Sequence, residues 1–314
     1  MSKKESAFIS AVVYSCSNSD NLLSFILELF NEMEKHFANY EIVIVDNCNP
    51  NMESVKSELT ARISASDSIT IVHMSEVQSL EACMRAGVDV AVGDFVYEFD
   101  DIFVDYEPEV IMEVYHKLIE GNDIVAASSK GKLRLTSRVF YSLYNRTSRG
   151  KGKIGPETFR IVSRRAINRI KSMGQYIPYR KAVYMNCGLN TSTICYNSKD
   201  VNVRIKNKTV ASERTTLALD SFIYFTNALE RISAIMCGIF LFLTMGMGIY
   251  IAFDIFNGTN TVEGWLSTMS FLAFGFFGVF ALLTIILKYL SVLLNLIFRQ
   301  QRYLVSDIEK VVKN

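Results

Sequence analysis

Two charge-free apolar runs, 232–253 and 265–287, constrain this chain more than any other feature of its sequence. Each holds roughly 22 residues, enough for a helix to cross a hydrocarbon core of about 30 Å. A short polar stretch, 254–264, separates them and carries Asp254 and Glu263 but no lysine or arginine. The second run continues beyond Lys288 to Phe298, as one long helix would. Arg204, Lys206, Lys208, Arg214 and Arg231 precede the pair, and Arg299, Arg302, Lys310 and Lys313 follow it. Positive flanks stay on the cytosolic side, so a two-helix hairpin with both ends cytosolic is expected. Neither run holds a charge of the kind that marks a transport pathway. The first apolar segment, 8–13, is too short for a signal peptide and runs directly into Ser, Cys and Asn.

The 200 residues before the pair read as a soluble α/β domain. Short β-branched runs at 8–13, 41–45, 69–73, 95–99 and 123–127 predict buried strands. Between them 22–36, 52–64, 80–91 and 108–120 carry apolar residues at helical spacing. Strands alternating with helices imply a mostly parallel sheet covered on both faces. The expected division is 1–200 for this domain, 201–231 for a basic juxtamembrane segment, 232–298 for the hairpin and 299–314 for a cytosolic tail.

A net charge of +1 hides a strong asymmetry. Residues 1–127 hold roughly 23 acidic and 7 basic side chains, while 128–214 hold roughly 20 basic and 3 acidic. The first part suits a cation, the second phosphates or anionic headgroups. Six cysteines without a CxxC pair, and only three histidines, argue against a zinc or histidine-based centre. Ligands of parallel sheets bind at the carboxyl ends of the strands. Two predicted strands end there in carboxylates, one in Asp46 and one in Asp100-Asp101, with Asp105 close behind. An aspartate also opens turns, but carboxylates at two such ends favour a nucleotide site with a divalent cation.

Five segments stand out in order along the chain: Tyr40-Glu-Ile-Val-Ile-Val-Asp46-Asn47; Ala86-Gly-Val-Asp89 with Gly93-Asp-Phe-Val, leading to Asp100; Ser137-Arg138-Val-Phe-Tyr141 with Asn145-Arg146; Phe159-Arg160-Ile-Val-Ser163-Arg164; and Arg302-Tyr303-Leu-Val305 after the apolar pair. On these segments the chain resembles, from about Phe8 to Val305, the family-2 glycosyltransferases, specifically the membrane-anchored polyisoprenyl-phosphate glycosyltransferases related to dolichol-phosphate mannose synthase. The first resembles that family's strand ending in the base-binding aspartate, and the second the approach to its Asp-x-Asp metal motif, which starts here at Asp100. The third resembles the interfacial helix, the fourth the segment after the acceptor loop, and the fifth the usual ending.

The resemblance implies a GT-A-type, Rossmann-like domain with interfacial helices and two C-terminal transmembrane helices. It implies inverting, metal-assisted transfer of a sugar from a nucleotide diphosphate sugar to polyprenyl (undecaprenyl) phosphate, for surface-glycan modification. Asp46, Asp100 and Arg204 would bind the nucleotide sugar, Asp100 and Asp101 a Mg²⁺ or Mn²⁺ ion, and Arg138 and Arg160 the acceptor phosphate. Asp101, Asp105 and Glu157 are the candidate catalytic carboxylates. Membrane lipids and a second copy of the chain are the implied partners, nucleic acid is not, and a bacterial inner membrane is the expected setting. The departures fall in the site: Ile102 replaces the motif's second carboxylate, Thr158 stands where relatives carry an aspartate, and Val210 replaces a lysine. They support an alternative, a catalytically weakened homologue that serves as scaffold or regulatory subunit of a glycan-assembly complex.

Overall fold

The computed structural model describes residues 4–16, 21–62, 68–130, 155–173, 179–198, 264–298 and 303–311, with isolated positions in 141–145 and 235–249. The chain divides into two units: 1–146, 150–218 and 300–314 form one, 147–149 and 219–299 the other.

The first unit is an eight-stranded sheet. Its strands are β1 (Glu5–Ser15), β2 (Phe37–Asp46), β3 (Ile69–Met74), β4 (Phe95–Phe99), β5 (Ile124–Ser129), β6 (Phe159–Ser163), β7 (Thr191–Tyr196) and β8 (Val305–Val311). They lie in the order β7-β5-β6-β4-β1-β2-β3-β8. Only β6 and β8 run against the others, so the expected mostly parallel sheet is present. Helices α1 (Leu22–His36), α2 (Met52–Arg62), α3 (Leu80–Val90), α4 (Glu109–Ile119), α5 (Arg164–Ser172) and α6 (Arg180–Asn186) connect the strands.

Alternation along the strands divides the core between two faces, as a pleated strand requires. Ile9, Ala11 and Val13 of β1 join Ile42, Ile44 and Ile71 beneath α1, α2 and α4. Val12, Val43, Val45 and Val72 pack on the other face against α3, α5 and Tyr184 of α6. The helices show the matching spacing: α1 buries Leu22, Phe25, Ile26, Leu29 and Met33. Serine hydroxyls open two of them, Ser79 accepting from the Ala82 amide and Ser163 from the Ala166 amide. Two glycines are required by closeness. A Cβ on Gly87 would lie 2.4 Å from Val12 Cγ1, and one on Gly93 would lie 2.7 Å from the Ser10 amide nitrogen.

Within the segment expected as a cytosolic tail, residues 305–311 form β8, antiparallel to β3 in the sheet of the first unit. The Leu304 carbonyl accepts from the Ser75 amide at 3.1 Å and from Gln78 Nε2 at 2.7 Å, and Tyr303 Oη donates to Asp89 at 2.9 Å. Charge hides this strand in the sequence, because only an edge strand tolerates Asp307, Glu309 and Lys310 together.

In the second unit, α7 (Gly264–Phe298) runs for 35 residues, about 52 Å at 1.5 Å per residue. The described positions between 235 and 249 are also helical. Phe240 lies against Gly278, where a Cβ would meet its ring at 2.3 Å, and its ring centroid is 6.3 Å from that of Phe274. Phe274, Phe277, Ile286 and Leu287 are exposed. Taken over the described residues alone, no helix counts as long and apolar enough to cross a membrane. The backbone of α7 is nonetheless continuous, and Lys288 is its only charge.

Candidate active site

Strand order reverses at β1, which has β2 on one side and β4 on the other. A crevice opens at such a switch point beyond the carboxyl ends of the strands. Ser15 ends β1 level with Asp46 on β2, and β4 ends at Phe99, just before Asp100. Two strand spacings separate the ends of β2 and β4, about 10 Å, which suits the base and diphosphate of a nucleotide.

Asp46 is buried and doubly held. Its Oδ1 accepts from the Asn49 amide at 2.8 Å, and its Oδ2 lies 2.9 Å from His73 Nδ1. Cys48 makes this turn with φ of 56°, an unusual backbone conformation for a residue other than glycine. Asn47 bridges to the next loop: its Nδ2 donates to Tyr14 Oη and the Gln78 carbonyl, and its Oδ1 accepts from the Gln78 amide.

Asp100 has a different setting. Its Oδ2 accepts from Arg160 Nη2 and its Oδ1 from Arg180 Nη2, both at 2.5 Å. Arg160 comes from β6, paired antiparallel to β4 so that Glu98 and Arg160 are opposite each other. It is 2% exposed, with Glu98 at 3.4 Å and Glu157 at 3.2 Å. Arg180 also donates to Glu81 and Glu98, and Tyr184 donates to Glu98. Lys181 lies 3.8 Å from Glu157. Four carboxylates and three cations thus share one buried cluster. Burial alone would raise the Asp100 pKa, but Arg160 and Arg180 hold it below the usual carboxylate range. Burial dominates at Glu98 and pushes its carboxyl up despite both guanidinium groups.

The other candidates are distributed as follows. Asp101 is exposed beyond β4. Asp105 is buried and accepts from Tyr196 Oη at 2.5 Å and Ser198 Oγ at 3.3 Å. Thr158, at the position where an aspartate is expected, shares a short hydrogen bond with Tyr196. Glu157 is paired with Arg160 rather than poised as a lone base. Arg138 and Arg204 lie outside the described residues, as does most of the predicted interfacial helix. Arg160, expected at the acceptor phosphate, is placed inside the ion-pair cluster instead.

As arranged, the donor set does not fit a divalent ion. Both Asp100 oxygens carry a guanidinium, Ile102 offers no ligand, and no group of three possible ligands gathers among the described residues. Sequence reasoning missed Glu98, Arg180 and His73. Glu98 left a signal: a glutamate inside the apolar run Phe-Val-Tyr-Glu-Phe demands a buried cation.

No known family profile matches the chain. An uncharacterized glycosyltransferase of Synechocystis is 24% identical over 310 residues, covering 96% of this chain and 95% of that protein. A prophage bactoprenol glucosyl transferase homolog of Escherichia coli and the bactoprenol glucosyl transferase of Shigella phage SfV are each 28% identical over 196 residues. Those matches cover 55% of this chain and 62% of each relative, so they span less than two thirds of the bactoprenol proteins. Among solved structures, a mannosyltransferase of Pyrobaculum calidifontis in complex with GDP-mannose and Mn²⁺ superposes with a TM-score of 0.53 at 12% identity, covering 95% of this chain and 89% of that one. Glucosyl-3-phosphoglycerate synthase of Mycobacterium tuberculosis gives 0.50 at 13%, covering 70% and 80%. The sheet, its switch point and the Pyrobaculum superposition identify a GT-A fold, in a chain similar in sequence to known glycosyltransferases.

Proposed function

We propose that this chain is a glycosyltransferase that moves a sugar from a nucleotide diphosphate sugar to a polyprenyl phosphate at the cytosolic membrane face. The observation that carries the proposal is its similarity to bactoprenol glucosyl transferases, in a chain whose fold sets Asp46 and Asp100 at the ligand edge. These relatives favour an enzyme of the transferase class over the scaffold alternative.

In the proposed reaction, an oxygen of the acceptor phosphate attacks the anomeric carbon. The bond from that carbon to the donor's diphosphate breaks, and the nucleoside diphosphate leaves with the electron pair. The anomeric centre inverts. A phosphate oxygen is already ionised at neutral pH, so no general base is required, which agrees with Asp105 and Glu157 being engaged elsewhere. Asp46 accepts from the base, while Arg138 and Arg204 are the proposed phosphate ligands, as guanidinium suits phosphate. The Mn²⁺ of the Pyrobaculum structure supports divalent-ion dependence for the fold. In this chain Asp100 would first have to part from a guanidinium.

Anchoring by two spans is part of the proposal. Strands β7 and β8 flank the apolar pair in sequence and share one sheet. Any passage through a bilayer between them must therefore cross an even number of times. The length of α7, its single charge and the exposed phenylalanines and leucines of the second unit support a hairpin. Contact with membrane lipids follows from that reading, whereas self-association is an expectation of the resemblance alone.

A transfer assay tests the proposal. Full-length protein in detergent is given undecaprenyl phosphate, Mg²⁺ or Mn²⁺, and a panel of nucleotide sugars, with Asp46→Asn as the control. A lipid-linked sugar made by the wild type and reduced in the variant is expected. No product with any donor would return the scaffold reading to first place.

A further inference from the structure

We propose that His73 is a positioning residue for the donor's base: held by Glu309 of the C-terminal strand, it fixes the carboxylate of Asp46. The inference rests on the reading of Asp46 as the base-binding residue and goes beyond it, since neither His73 nor Glu309 belongs to the motifs of the resemblance.

Four side chains form a line across the edge of the sheet. Lys56 of α2 lies 2.7 Å from Glu309 of β8, Glu309 lies 3.7 Å from His73 Nε2, and His73 Nδ1 lies 2.9 Å from Asp46 Oδ2. The register makes this arrangement necessary rather than incidental. Asp46 and His73 are directly paired between β2 and β3, and Asp307 is paired with His73 between β3 and β8. Side chains two apart on a strand share a face, so Glu309 reaches the ring diagonally on the face that carries Asp46. Strand β8 therefore supplies the outer partner of the histidine.

The consequence for a ligand follows from counting acceptor sites. A carboxylate has about four lone-pair directions, two on each oxygen. The Asn49 amide takes one on Oδ1 and His73 takes one on Oδ2. Among the described residues one site on each oxygen is left, and the carboxylate plane is fixed by one donor from the turn after β2 and one from β3. A pair of fixed acceptors favours a base with an imino N–H, uracil or guanine. Cytosine and adenine present a ring acceptor at the corresponding place and would be repelled. Without His73 only the Asn49 amide holds the carboxylate, its Oδ2 is left without a protein donor, and fixing its plane on binding costs affinity.

The test is isothermal titration of the full-length chain in detergent with UDP, GDP, CDP and ADP, with Mg²⁺ present throughout. Wild type should prefer UDP or GDP. His73→Ala should weaken the preferred nucleotide about tenfold, equal to about 1.4 kcal/mol, narrow the preference over CDP and ADP, and leave the melting temperature unchanged. His73→Asn should restore binding to within about threefold, because its amide nitrogen occupies the place of Nδ1. Glu309→Gln should act in the same direction as His73→Ala but less, and should have no effect in the His73→Asn background. Wild-type binding by His73→Ala, together with loss in Asp46→Asn, overturns the role of His73 and leaves Asp46 as the base-binding residue. Wild-type binding by Asp46→Asn overturns both. A loss in His73→Ala that tracks a fall in melting temperature and is not restored by asparagine reduces the histidine to a structural residue and overturns the inference.

Discussion

Removing the Arg160 guanidinium should destabilise the protein strongly, and removing Asp100 as well should give part of that loss back. Arg160→Met leaves four carboxylates facing two cations in a cluster where Arg160 is 2% exposed. Breaking a buried pair from one side costs about 3–5 kcal/mol. Asp100→Asn leaves three carboxylates and three cations, and its amide oxygen still accepts one guanidinium, so about 2 kcal/mol is expected. In the double variant neither charge is orphaned by loss of the other. Coupling between residues in such contact reaches about 3 kcal/mol; at about 2 kcal/mol or more it cancels the cost of Asp100→Asn, and the double variant is then no less stable than Arg160→Met alone. For a domain of this size 1 kcal/mol corresponds to about 2–4 °C, which places Arg160→Met about 6–20 °C below wild type. Thermal melts of the four proteins in one detergent complete the cycle. Additive losses, with the double variant lowest of all, would refute the reading of these residues as one electrostatic unit.

The pH dependence of the same cycle has a definite sign. The Asp100 carboxyl is held below its ordinary 3.8 by the two arginines. A depressed folded-state pKa adds stability that is present above the unfolded value and is lost as pH falls through the folded one. The gap between wild type and Asp100→Asn should therefore be full at neutral pH and shrink below about pH 4.

Other substitutions test the packing. Gly87→Ala drives a methyl into Val12 and Val45 and should cost about 1–3 kcal/mol in a denaturation curve, with partial recovery in a Val12→Ala background. Gly93→Ala meets the Ser10 backbone, which cannot turn aside, so it should be the more damaging of the two and show no such recovery. Tyr196→Phe removes the hydroxyl that donates to Asp105 and should lower stability by about 1–3 kcal/mol. Ending the chain after residue 302 removes β8 and bares the β3 edge, so light scattering should detect aggregation that the full chain does not show.

The scaffold was legible because burial leaves a period in the sequence. Strands 41–45 and 95–99 and the helix 22–36 each carry the spacing that their surroundings impose, and each was found within a few residues of its place. The site was only half legible, for a physical reason. An aspartate at the end of an apolar run shows where a strand delivers a carboxylate, but not what meets it there. Asp46 and Asp100 look alike in the sequence, yet one takes a histidine and a backbone amide while the other takes two guanidinium groups. The difference comes from strands that arrive later in the chain and pair out of order. Strand β6 brings Arg160 beside Glu98, and β8 brings Glu309 diagonal to His73. A charge spacing along one segment cannot encode a partner supplied by another. For the same reason Glu98 was the more telling residue. A carboxylate in the middle of a buried strand cannot remain unpaired, so it announces a distant cation even where the sequence does not say which one.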